Sequence, residues 1–146
     1  MTDGLPQVNT VQELVELIDL RGLRTFEISG VRVDPRQEFP PDEVSTDIKA
    51  SEARSDSKIE TRFRATVEAN EATFVVDVGL LFALDYPVVI SDDAVREFLE
   101  RVAVMSAYPF IREGIATTAA RMELPVPVLG LLKQGSVSFA AAPAGQ

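Results

Sequence analysis

The chain of 146 residues has the length of a single domain, and its 46% hydrophobic content is enough to bury a core. It contains no cysteine and no histidine, which excludes disulfides, Cys/His zinc sites and histidine-based catalytic triads. The formal net charge of -9 disfavours binding to nucleic acids or anionic membranes, because both require a basic surface. The N-terminus lacks a signal-peptide pattern and no apolar run is long enough to cross a bilayer, which predicts a cytoplasmic protein.

The first part of the chain shows a short helical pattern and then a strand. Residues 9–20 place apolar side chains at helical spacing, and Thr10 and Glu13 have the spacing of a capping box. This helix is expected to pack on its own domain or to dock on a neighbouring subunit. Residues 23–33 alternate as a strand, and the change of phase at Gly30 predicts a bulge or bend there.

The proline-rich segment 34–43 follows, and three prolines in ten residues predict an extended crossing segment. Phe39 is its only aromatic residue. Because a surface loop does not need a phenylalanine, Phe39 is expected either to anchor its own loop or to contact a ligand.

Three more segments alternate as strands. Residues 44–50 and 58–69 have one apolar and one polar face, as in antiparallel sheets. Residues 72–84 are apolar on both faces, so one face is expected to meet a helix and the other a second subunit. Asp77 interrupts this apolar strand. It is interpreted either as a solvated carboxylate or as a functional group.

The longest helical pattern runs over residues 91–122, with Ser91 at the N-cap position. Its apolar stripe includes Phe98 and Val102, and the helix is expected to cover the sheet and to pair subunits. Pro109 removes one backbone hydrogen bond, which predicts a kink just before it.

No sequence pattern of an enzyme, a nucleotide site or a metal site occurs, so the chain is predicted to be no enzyme and to bind no cofactor or metal. What remains is surplus apolar surface, above all in the proline-punctuated segment 124–132. Contiguous apolar residues next to irregular backbone are typical of interaction sites. The same residues are equally consistent with burial between identical subunits. The remaining segment, 133–146, is predicted to be a flexible tail.

The sequence YPFIRE at residues 108–113, followed by Arg121 and the Leu124-Pro125 step, resembles the long helix of the SecB family of export chaperones. The resemblance spans about residues 23–132. It implies an α+β fold with a four-stranded antiparallel sheet and a long kinked helix packed on it. It also implies an ATP-independent holdase for unfolded preproteins that assembles as a homotetramer, a dimer of dimers.

Two kinds of client follow from the resemblance. Family members keep precursors extended for the export motor SecA, whereas a branch found in toxin–antitoxin systems protects an antitoxin. The family pattern departs here in two places: residues 1–22 form an additional N-terminal helical extension, and the segment after the proline-rich loop is short.

The resemblance and the apolar pattern together assign three candidate surfaces. The client-binding residues are expected to be Phe39, Leu124, Val126, Val128, Leu129, Leu131 and Leu132. The contacts between subunits are expected on strand and helix, at Val76, Val78, Phe98 and Val102. A surface for SecA is expected at Glu27 and Asp77.

Overall fold

The computed structural model describes residues 4–37, 40, 43–130, 132 and 137–139. In chain order the elements are β1 (Gln7–Val8), α1 (Val11–Leu17), β2 (Ile18–Arg32), β3 (Ser45–Arg54), β4 (Lys58–Glu68), β5 (Ala72–Leu84), β6 (Val89–Ile90), α2 (Asp92–Phe98), α3 (Val104–Arg121) and β7 (Val137–Phe139). The long sheet has the strand order β2-β5-β4-β3-β7, and β1 pairs with β6 separately.

The α+β class predicted from the sequence is confirmed, whereas the sheet differs in one strand. Strands β2, β5, β4 and β3 pair antiparallel, as expected. A fifth strand, β7, joins β3 in parallel and makes the sheet mixed. β7 lies in the segment predicted to be a flexible tail, so residues 137–139 depart from that prediction. The prediction missed β7 because a strand of three residues has no readable periodicity.

The core lies between one face of the sheet and the helices. On β4 the buried residues alternate strictly with polar ones along the whole strand, as the pattern predicted. The corresponding face of β5 is buried from Ala72 to Phe82. Across this face, α3 packs mainly on β5 and β2, and α1 packs on α2. The N-terminal helix therefore belongs to the same packed unit as the rest of the chain.

β2 is longer than predicted and starts where α1 ends. Thr10 caps α1 by accepting a hydrogen bond from the Glu13 amide at 3.2 Å, but the helix ends at Leu17 and the strand begins at Ile18. The expected boundary between residues 22 and 23 therefore falls inside β2.

The predicted bulge at Gly30 is wrong. The register shifts lie earlier, between Leu20 and Gly22 and between Thr25 and Glu27, and Gly30 pairs regularly with Phe74. Glycine is needed at position 30 for another reason. A Cβ atom there would lie 2.6 Å from the sulfur of Met122 and 2.7 Å from a methyl carbon of Thr118.

The helical stretch after Ser91 has its irregularity before the proline. The Ser91 hydroxyl caps α2 by accepting from the Ala94 amide at 3.2 Å. Residues Leu99–Ala103 form a π-helical segment that joins α2 to α3, and Pro109 lies inside α3. A π-helical segment has hydrogen bonds between residues five apart, so each turn contains about one residue more than a turn of an α-helix. No helix among the described residues is long and apolar enough to cross a membrane.

Candidate functional site

The C-terminus of α3 sends the chain back along the helix. The Leu124 amide donates to the Ala119 carbonyl at 3.0 Å and the Glu123 amide donates to the Ala120 carbonyl at 3.1 Å. These two bonds form a Schellman motif, which satisfies carbonyl groups that the helix end leaves free. The motif requires a left-handed residue, and Glu123 takes this role with φ of 58°. Glycine is the usual residue at this position and commonly indicates a helix end. Because a glutamate stands there instead, the sequence contains no indication of this reversal.

Tyr108 fixes the far end of the returning segment. Its hydroxyl donates to the carbonyl oxygen of Gly130 at 2.5 Å. The ring is 8% exposed, and burial raises the pKa of the Tyr108 hydroxyl above its ordinary value. The segment 123–130 is thus held at one end by the helix cap and at the other by Tyr108.

A depression of about 480 Å³ lies between the helix and this segment. We call it the α3 groove; its lining residues are Pro109, Arg112, Glu113, Ala116, Val126, Pro127, Val128 and Leu129. Val126 and Val128 are 49% and 85% exposed. Apolar side chains this open contribute little to the core of one chain and are available for contact with another molecule.

The structure brings together part of the predicted client-binding set. Val126, Val128 and Leu129 line the α3 groove. Leu129 also packs against the core, as do Leu124 and Leu132, and all three leucines are only partly buried. Phe39 and Leu131 lie outside the described residues.

The helix wall of the groove was missed, namely Arg112, Glu113 and Ala116. Together with Pro109 these residues follow the spacing of one helix face, at which residues three, four and seven apart are neighbours. That spacing was the available signal. The wall carries one basic and one acidic side chain beside an apolar floor.

The residues predicted for contacts between subunits are buried or partly buried within the single chain. Val76 and Val78 are 1% and 2% exposed, Phe98 is fully buried, and Val102 is partly buried. The role of these residues in assembly stays a prediction. A subunit contact made by β5 would use the side chains of opposite parity, among which Val75 and Leu81 are partly exposed.

Asp77 is not the solvated carboxylate that one interpretation expected. Its side chain is 2% exposed on the sheet face opposite the helices, and it accepts from Arg62 at 2.9 and 3.0 Å and from Arg64 at 3.1 Å. Arg64 also donates to Glu27 at 2.9 Å. The pKa of Glu27 is lowered by the hydrogen bond from the Ser29 hydroxyl and then by Arg64.

Two carboxylates and two guanidinium groups cancel in formal charge in this cluster. The hydrogen bond to Asp77 raises the pKa of Arg62. The role of Glu27 and Asp77 in binding SecA stays a prediction. Among the described residues no group of three acidic side chains could hold a metal ion.

A second apolar surface follows the free edge of the sheet. We call Leu20, Leu23 and Ile28 on β2 the β2 patch; each is between 44% and 48% exposed. They stand opposite Phe82, Leu80 and Val76, on the face that the helices cover elsewhere. β2 is the outermost strand on this side of the long sheet, so nothing described in this chain covers the patch fully.

Comparison with known proteins places these features in context. The chain is 33% identical over 137 residues to the SecB-like chaperone SmegB of Mycolicibacterium smegmatis, covering 94% of this chain and 90% of that protein. The fold is similar to the Rv1957 SecB-like chaperone of Mycobacterium tuberculosis, solved in complex with a ChAD peptide from the Rv1956 HigA1 antitoxin. That match has a TM-score of 0.66 and 16% identity and covers 84% of this chain and 92% of the other.

A further similar fold is a protein of unknown function from Streptococcus agalactiae, with a TM-score of 0.53 and 8% identity over 78% of this chain and 97% of the other. No family model matches the sequence.

Proposed function

Because the chain belongs to the SecB-like chaperones, we propose that it holds extended apolar segments of unfolded proteins in the α3 groove without using ATP. The observation that carries this proposal is the exposure of Val126 and Val128 beside a helix wall. Burial of apolar client side chains there removes apolar surface from water on both molecules, and the free energy of this process needs no nucleotide.

The backbone of the segment 123–130 is suited to binding many different client sequences with low specificity. Pro125 and Pro127 lack amide protons and restrict the backbone around them, so the segment loses little entropy when a client binds. Apolar contacts are not directional, and a groove made mainly of them accepts different side chains. The charged side chains Arg112 and Glu113 on the helix wall offer a donor and an acceptor to the client backbone.

An antitoxin is a second candidate client. The structurally similar Rv1957 protein was solved with a peptide from an antitoxin, which favours one dedicated client with an apolar extended segment. The two possibilities are separated by a competition experiment. Binding of the ChAD peptide that a denatured secretory precursor cannot displace would favour the dedicated antitoxin chaperone, and mutual displacement would favour the general holdase.

Export through SecA is the remaining part of the prediction. It requires direct binding of SecA to the cluster of Glu27, Asp77, Arg62 and Arg64. Glu27→Lys reverses the charge of the more exposed carboxylate, with Glu113→Lys as the matched charge change on the helix. Loss of SecA binding in the first variant alone would support this role, and equal binding by both would exclude it.

We also propose that the chain forms a homotetramer, a dimer of dimers in which the β2 patch makes one of the two kinds of contact between subunits. Three exposed large side chains on an edge strand are a liability for a monomer and are commonly covered by a second subunit. Sedimentation analysis of the purified chain should give a mass about four times 15.9 kDa. Leu23→Asp should lower this mass, and a monomer in the unaltered protein would contradict the proposal.

The holdase activity is tested by suppression of aggregation of a chemically denatured protein at equimolar amounts without nucleotide. Val128→Asp should abolish most of the suppression, because it places a charge where apolar client side chains bind. The matched control is Val31→Asp, since Val31 is a 61% exposed valine that does not line the groove. Equal suppression by both variants would show that the α3 groove does not bind clients.

A further inference from the structure

The C-terminal strand β7 is attached to the outer edge of β3. Ile48, Lys49 and Ala50 stand opposite Val137, Ser138 and Phe139 in parallel register. The Ser138 hydroxyl donates to the Ile48 carbonyl at 3.4 Å. The chain thus binds an extended segment of itself at a sheet edge.

The side chains of β7 alternate between the core and solvent. Val137 and Phe139 are partly buried and pack against the hydrophobic core, while Ser138 is exposed. The guanidinium carbon of Arg96 lies 5.5 Å from the centre of the Phe139 ring, a cation–π distance. This edge therefore accepts an apolar residue, a polar residue and then an aromatic residue that Arg96 covers.

The attachment of β7 is short. β7 has 3 residues and β3 has 10, whereas strands in globular proteins usually have about 5–6 residues. Parallel pairing is also slightly weaker per residue than antiparallel pairing. Among the described residues only Ile48, Lys49 and Ala50 have a strand partner on this side of β3. A longer segment with the same alternation would make more backbone hydrogen bonds to β3 than β7 does.

We infer that β7 occupies in cis a second client site, at which an unfolded segment with apolar–polar–aromatic spacing adds as a strand to β3 and displaces β7. Addition of an extended peptide to a sheet edge is a common recognition mode, in which backbone bonds give affinity and alternate side chains give specificity. Here Arg96 would select the aromatic residue. The inference rests on the proposed chaperone function. It assigns a second binding site, separate from the α3 groove, which β7 of the same chain occupies until a client displaces it.

Hydrogen exchange on the full chain tests the displacement. The probe is a reduced and alkylated, permanently unfolded protein, measured with and without an equal amount of the chaperone. Client binding should deprotect the amides of Val137–Phe139 while those of Ile48, Lys49 and Ala50 stay protected. Unchanged or increased protection of Val137–Phe139 in the complex would overturn the inference. Absence of any complex would instead contradict the proposed holdase function.

A second experiment does not depend on chaperone activity. A fluorescent peptide with the sequence of residues 133–143 is titrated into the full chain carrying Val137→Asp and Phe139→Asp. Because a tethered segment competes at a high effective concentration, the variant should bind the peptide at least about tenfold more tightly than the unaltered chain. The matched control carries Val15→Asp and Val31→Asp, two exposed valines outside β3 and β7, and it should bind the peptide as weakly as the unaltered chain.

Two outcomes of this titration would overturn the inference. The first is equal peptide affinity of the double variant and the unaltered chain, with circular dichroism showing that both are folded. The second is a change in the oligomeric mass of the double variant, because β7 would then be needed for contacts between subunits. Arg96→Gln, added to the double variant, should weaken binding of the peptide but not of a version with leucine at position 139.

Discussion

Tyr108→Phe removes one hydroxyl group and with it the hydrogen bond that holds the far end of the groove segment at Gly130. The aromatic ring stays and no cavity forms. The change in stability therefore comes from the loss of one neutral hydrogen bond and from the carbonyl oxygen that is left unpaired. Gly130 is exposed and its carbonyl can turn to water. We therefore expect a loss of about 1 kcal/mol in the free energy of unfolding, which corresponds to a fall of about 3 °C in Tm.

The effect on client binding follows from the same bond. Without it the segment 123–130 loses the hydrogen bond at its far end, and part of the binding free energy must be used to order the groove. If the full amount of about 1 kcal/mol is lost, Kd for a denatured client rises about fivefold. Fluorescence titration and a thermal melt measure the two quantities. Tyr86→Phe is the matched control, because Tyr86 is 48% exposed.

The pH dependence gives an independent check on the same residue. Burial raises the pKa of folded Tyr108 above 10.0, so above that pH the unfolded chain releases its proton first. Unfolding then becomes more favourable as the pH rises, and this stability is lost progressively through the alkaline range. Tyr108→Phe should lose less stability between pH 9 and 11 than the unaltered chain. An identical Tm, Kd and alkaline profile in both would refute the role of Tyr108.

Three further changes test the surrounding structure. Glu123→Gly should raise the free energy of unfolding by about 1 kcal/mol, measured by urea denaturation, because glycine adopts the left-handed conformation without steric cost; a lower stability would contradict the Schellman geometry. Gly30→Ala should cost about 1–3 kcal/mol through overpacking, whereas Gly22→Ala, whose Cβ would meet nothing nearer than 3.8 Å, should cost less than about 1 kcal/mol. Arg62→Ala should cost about 1–2 kcal/mol, since the buried Asp77 keeps Arg64 and the lost guanidinium was half exposed; a change below about 0.5 kcal/mol would show that Asp77 needs only one partner.

The elements that could be predicted from the sequence are those fixed by neighbouring residues. The alternation of β4 and the capping residues Thr10 and Ser91 each depend on side chains within one turn or one strand. The end of α1 could not be placed in this way. Its apolar spacing continues past Leu17, but pairing of Ile18 with Leu84 draws the chain into the sheet. Tertiary pairing overrides local propensity when the two conflict.

The α3 groove was predictable in its apolar segment but not in its shape. Val126 and Val128 were recognisable in the sequence as surplus apolar residues. The helix wall could not be predicted without knowing the direction in which the chain leaves α3. That direction is set by a left-handed glutamate, a residue that does not usually mark a helix end. The pairing of β7 with β3 joins residues about 90 positions apart, and no local pattern encodes such a contact.

The partners of Asp77 show where more could have been inferred. A turn at Asn70 and Glu71 puts strand positions opposite each other when their numbers add to 141, and the structure has this register, with Arg64 opposite Asp77. Arg62, opposite Gly79, is then the diagonal neighbour, within reach of a long side chain. Both ion pairs thus follow from the turn alone. The pairing of Glu27 with the same cluster does not, because its register depends on the connection from β2 across the proline-rich segment and on the shift between Thr25 and Glu27.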